Sequence, residues 1–182
     1  MPRRPLRLPR PVVLAAALLA LAGCESAPPK SLPTCPQLSL LQDAGDVVRF
    51  GGAPDAPKDA RSLALAAHIA AVPASCENAG PGEVRARVNL LARVRRGPAA
   101  TGDTASVPYF IAITENGKVL NELDRTLAVK FRPNVDEVTA GGEAVDITLP
   151  VSKTRTAAAY HLYVGFRLTK AELAYNRGAA SE

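Results

Sequence analysis

Few side chains in this chain of 182 residues could do chemistry, so each can be weighed singly. There are three cysteines (Cys24, Cys35 and Cys76) and two histidines (His68 and His161). A hydrolytic triad can be written from Ser62 or Ser75, His161 and Asp146, since such a site needs a nucleophile, a base and an orienting acid. No G-x-S-x-G elbow, H-E-x-x-H helix, Walker loop or dinucleotide fingerprint accompanies them. A hydrolase is therefore the remotest expectation, and mid-strand histidines on a polar face are the simpler one. No catalytic, cofactor-binding or metal residue is expected.

The one dense charge feature is Arg85, Arg87, Arg93, Arg95 and Arg96. On one face of a single strand they would make a basic ladder about 35 Å long, at roughly 3.3 Å per residue. Such a ladder would suit an anionic partner such as lipid A phosphates or a wall polymer, through Arg85, Arg87, Arg93 and Arg95. The plainer expectation is a solvated face whose arginines pair across strands with acids such as Glu115, Glu122 or Asp124. Alternating arginines also guard an edge strand against aggregation.

The N-terminus narrows the compartment. Arg3, Arg4, Arg7 and Arg10 precede an unbroken apolar run, Val12 to Ala22, of eleven residues. That is too short for the roughly 20 residues of a membrane helix, but it fits the hydrophobic region of a signal peptide. Pro9 and Pro11 argue against an ordinary helix there. The run closes on Leu21-Ala22-Gly23-Cys24, which resembles the lipobox of bacterial lipoproteins. The resemblance implies cleavage before Cys24, acylation of its thiol and amine, and a mature protein held by two or three chains, one alone binding only marginally. In such proteins Asp after the lipidated cysteine favours the inner membrane, so Glu25 points to the outer membrane. The expected address is the cell envelope, facing the periplasm.

Processing changes the charge argument. The chain holds 22 basic and 17 acidic residues. Four arginines leave with residues 1–23, so 18 against 17 give a mature charge of +1. Nucleic acid is therefore not an expected partner. With Cys24 taken by lipid, Cys35 and Cys76 remain as an even pair in an oxidising compartment and read as a disulfide. Zinc is the competing reading, but no histidine or carboxylate pattern accompanies the two thiols.

Pro28, Pro29, Pro33 and Pro36 make residues 24–36 a semi-rigid tether after the lipidated cysteine. Residues 37–182 then form one domain. Val84, Ala86, Val88, Leu90, Ala92 and Val94 alternate with mostly polar residues, which predicts one long half-buried strand. Val107 to Ile113 predicts another, ending at Asn116-Gly117, a pair suited to a type I′ turn. Val119 to Asp124 should return antiparallel, with Leu127 to Phe131 continuing it or following a kink. Further strands are expected at Asp46–Phe50, Val145–Leu149 and Tyr160–Leu168. Ala60–Val72 has helix-favouring alanines but also alternates, and is read as a strand. Gly51-Gly52 and Gly141-Gly142 read as turn glycines with positive φ. Thr169 and Glu172 fit a capping box, so a helix of one or two turns should follow, held by Leu173 and Tyr175. Eight aromatics and no tryptophan argue against an outer-membrane barrel.

The sum is an all-β, antiparallel β-sandwich with a short C-terminal helix. An immunoglobulin-like Greek key is the leading topology and a small closed barrel the second. The lipobox, Cys35-Pro36, Ser75-Cys76, Pro108-Tyr109-Phe110 and the closing LTKAELAYNR together resemble a family of uncharacterised alphaproteobacterial envelope lipoproteins. That family implies no catalytic residues. The functional expectation is a non-enzymatic structural or protein-interaction module with an envelope protein partner.

Overall fold

A computed structural model describes residues 33–53 and 56–179. The expected signal segment 1–23, the lipidation site Cys24 and the tether up to residue 32 lie outside the described residues. Eleven strands form among those described: β1 (Gln37–Leu40), β2 (Asp46–Phe50), β3 (Leu63–Ala71), β4 (Ala74–Gly80), β5 (Glu83–Val88), β6 (Leu91–Arg96), β7 (Thr104–Glu115), β8 (Lys118–Lys130), β9 (Glu137–Gly141), β10 (Val145–Pro150) and β11 (Tyr160–Phe166). One helix, α1 (Lys170–Ala179), follows. The fold is an all-β sandwich closed by a short C-terminal helix.

One layer is the sheet β1-β11-β7-β8. The other is bent, with ladder β2-β3-β6-β9 on one side of the bend and β10-β5-β4 on the other. Two hydrogen bonds carry pairing across that bend: Asn89 N–H donates to Pro73 O at 2.9 Å, and Gly142 N–H donates to Leu90 O at 2.8 Å. The bend has local causes. Pro73 has no N–H for a ladder. The Asn89 side chain turns back on its own backbone, its Oδ1 accepting the Leu90 N–H at 2.7 Å.

Gly142 is needed for space, since a Cβ there would stand 2.6 Å from the Tyr109 hydroxyl. The turn-glycine expectation is thereby corrected at Gly51 and at Gly141-Gly142, none of which has positive φ, whereas Gly52 does, at 94°. The predicted long strand around Val84–Val94 is likewise divided into β5 and β6. Its in–out alternation nonetheless survives the bend, with Val84, Ala86, Val88, Leu90, Ala92 and Val94 all buried.

The two layers share one core. Tyr109, Tyr160, Phe131 and Phe166 are fully buried among Val47, Ile69, Val94, Ile111, Leu127 and Leu162. Each such side chain contributes about 2 kcal/mol by burial. After the β7–β8 hairpin the chain returns to pair β9 with β6 and β10 with β5, and β11 then returns beside β7. These are Greek-key crossings. One pairing departs from the antiparallel expectation: β1 runs parallel to β11.

Ala60–Val72 contributes β3, because β2 and β6 flank it on both sides and supply the partners that outweigh alanine's helix preference. At the β7–β8 turn Asn116 and Gly117 have φ of 51° and 78°, as type I′ requires. The capping box also forms. Thr169 N–H donates to Glu172 Oε2 at 2.6 Å, and Glu172 N–H donates to Thr169 Oγ1 at 3.2 Å. The helix runs longer than foreseen, ten residues, because tertiary contacts hold its last turns. The Tyr175 ring packs edge-on against Phe50 at 5.4 Å, and Asn176 donates to the Asp43 and Asp46 carbonyls at 2.9 and 2.8 Å.

Candidate functional site

The arginines of β5 and β6 lie on the outer surface of the bent layer, because the buried residues of each strand occupy the alternate positions. They do not form one ladder on one strand. Arg85 and Arg87 belong to the ladder with β4 and β10, and Arg93 and Arg95 to the ladder with β3 and β9. Pairing in register then supplies acids. Arg85 meets Glu77 of β4 at 3.0 Å. Arg87 makes a two-pronged contact with Asp146 of β10, at 2.8 and 3.0 Å. The Arg87 hydrogen bond holds the Asp146 carboxyl below its usual range, and Asp146 raises the guanidinium in return.

Arg93 approaches Glu137 of β9 at 3.5 Å. Arg96 turns the other way, 2.8 Å from Asp136 and stacked over the Phe131 ring. Among the described residues, no acid lies within ion-pair distance of Arg95. The cross-strand expectation therefore holds in kind but not in its partners. Glu115 binds Arg155, and Glu122 and Asp124 bind Arg167.

The triad is not assembled: Ser75 and Asp146 flank Arg87 on one face, but the base lies elsewhere. His161 bonds Ser39 at 2.8 Å through Nε2 and stacks on Tyr163. Ser62 closes a loop, donating to Pro57 O and receiving the Asp59 N–H. Ser75 sits on β4 and Asp146 is held by Arg87, both on the outer face of the bent layer. His161 belongs to the other layer. His68 faces solvent and pairs with Asp46 at 2.8 Å.

The cysteines are bridged, with Cα atoms 5.8 Å apart. Cys35 lies two residues before β1, an edge of one layer, and Cys76 lies within β4, an edge of the other. The bridge thus ties the two layers where the chain enters the domain. Cys76 lies inside a strand that alternation does not reveal, since ASCENAG has little apolar character.

A further cluster escaped sequence reasoning. Arg49 of β2 donates to Glu172 Oε1 at 3.0 Å and to Ser106 O of β7 at 2.9 Å. Arg177 meets Asp43 at 2.8 Å. These contacts clasp α1 over the crossing from β1 to β2. The two contacts to α1 span more than a hundred residues of sequence, and only the capping box hinted at them.

No protein-family model, curated protein or solved structure matches the chain.

Proposed function

We propose that the protein is a bacterial lipoprotein, anchored in the envelope through acylated Cys24, whose β-sandwich is a non-catalytic interaction module facing the periplasm. The carrying observation is the Cys35–Cys76 disulfide, eleven residues after Cys24. It suits an oxidising compartment and fixes the first strand after a proline-rich spacer. Glu25 favours the outer membrane. The partner of this module is an envelope protein.

The second reading, an anionic envelope ligand on Arg85, Arg87, Arg93 and Arg95, has weaker support, because three of the four guanidiniums already face carboxylates. A hydrolase has weaker support still, since His161 meets Ser39 rather than Ser62, Ser75 or Asp146.

The test is metabolic labelling with a clickable fatty acid, followed by detergent phase partition. The wild-type chain should take the label and enter the detergent phase, and Cys24→Ala should do neither. A Cys24→Ala variant that stays in the detergent phase overturns the lipid-anchor reading.

A further inference from the structure

The geometry points to the β7–β8 hairpin tip, with Lys118, Val119 and Leu120, as a second membrane contact that rests on the leaflet holding Cys24. This inference depends on the lipoprotein reading above and adds a surface to it.

Register fixes the placement. In the sheet β1-β11-β7-β8, Gln37 lies opposite His161, Tyr160 opposite Glu115, and Glu115 opposite Lys118. The point where β1 begins and the Asn116-Gly117 turn are therefore at the same end of one sheet. Three strand spacings separate β1 from β8, about 14 Å at roughly 4.8 Å each. The eleven residues from Cys24 to Cys35 can extend about 34 Å at roughly 3.1 Å each. The chain that precedes β1 joins the sandwich at this end, and its length lets this end reach the bilayer.

The tip is apolar where folding gives it no reason to be. Val119 and Leu120 are 57% and 49% exposed. The pairing slips between Ile113 and Thr114, so Thr114 faces Val119 and Leu120 is the extra residue. A bulge of this kind turns a side chain out of the alternation. Two neighbouring exposed apolar side chains beside a hairpin turn fit the acyl–headgroup boundary.

Basic groups occur at this end, and the hairpin's acids Glu115 and Glu122 are already paired with Arg155 and Arg167. Lys118 is exposed at the turn, and Lys153 and Arg155 lie in the connection that ends at Tyr160. Arg155 meets Glu115, while Lys118 and Lys153 have no ion pair among the described residues. Unpaired lysines beside apolar side chains match an anionic lipid surface. The other exposed leucines, Leu40 and Leu41, lie at the opposite end of β1 from Gln37, Leu40 closing the strand and Leu41 following it.

The chain contains no tryptophan, so an introduced indole reports its own depth. Full-length lipidated protein carrying Leu120→Trp or Leu41→Trp is reconstituted into anionic phospholipid vesicles with brominated acyl chains. Both positions are partly exposed and accommodate the indole. Leu120→Trp should be quenched severalfold more strongly than Leu41→Trp. Equal or reversed quenching in protein that floats with the vesicles overturns the hairpin contact and leaves the anchor standing. Protein that does not float with them overturns both.

Discussion

Replacing the Cys35–Cys76 bridge tests how the two layers are held where the chain enters the domain. The cysteines are 41 residues apart, and the closed loop contains β1, β2 and β3. On the chain-entropy account, opening a loop of that length costs roughly 4 kcal/mol of stability. For a domain of this size each kcal/mol moves Tm by roughly 2–4 °C, so a fall of about 10 °C is expected. The loss should also be local, because β1 is a four-residue edge strand with one neighbour. The assay is thermal unfolding of the full chain against Cys35→Ser/Cys76→Ser, followed by circular dichroism without reductant. Amide exchange at Gln37–Leu40 is measured alongside. A change of Tm below roughly 2 °C, with unaltered protection of β1, refutes the role given to the bridge here.

Two further perturbations separate packing from charge. Gly97→Ala would place a Cβ 2.1 Å from the Leu63 carbonyl oxygen, between strands that cannot part. It should cost about 2–4 kcal/mol in denaturant unfolding, whereas Gly80→Ala, with nothing in reach, should be nearly neutral. Burial pushes the Glu172 carboxyl up, but the Thr169 backbone N–H and the Arg49 guanidinium outweigh it and hold the carboxyl below its usual range. A depressed folded value means that the stabilisation is complete above the unfolded glutamate range and fades as pH falls through the folded one. Amide protection of α1 should therefore drop at acid pH in the wild type, and Glu172→Gln should remove that dependence. An unchanged acid response in Glu172→Gln assigns the effect elsewhere.

Much of the fold was legible in the order of residues, because alternation and turn chemistry are local. Val107–Ile113, the Asn116-Gly117 turn, Asp46–Phe50 and the Thr169–Glu172 capping box needed only neighbours a few positions away. The disulfide was legible for a different reason: assigning Cys24 to lipid left only one pair. The arginine face was half legible. That Arg85, Arg87, Arg93 and Arg95 point outward follows from alternation. Which acids answer them does not, because Glu77, Asp146 and Glu137 reach them through strand order.

The same boundary divides the molecule as a whole. The residue string alone determined a largely all-strand body, the Asn116-Gly117 turn and a capped final helix. Tertiary structure decided where Pro73, Asn89 and Gly142 bend a layer, how α1 is clasped by Arg49 and Asp43, and that the start of β1 and the β7–β8 turn share one end of a sheet. Local patterns record whether a side chain faces inward or outward. They hold no record of which distant segment lies alongside, since pairing energy depends on neighbours that only the folded chain brings together.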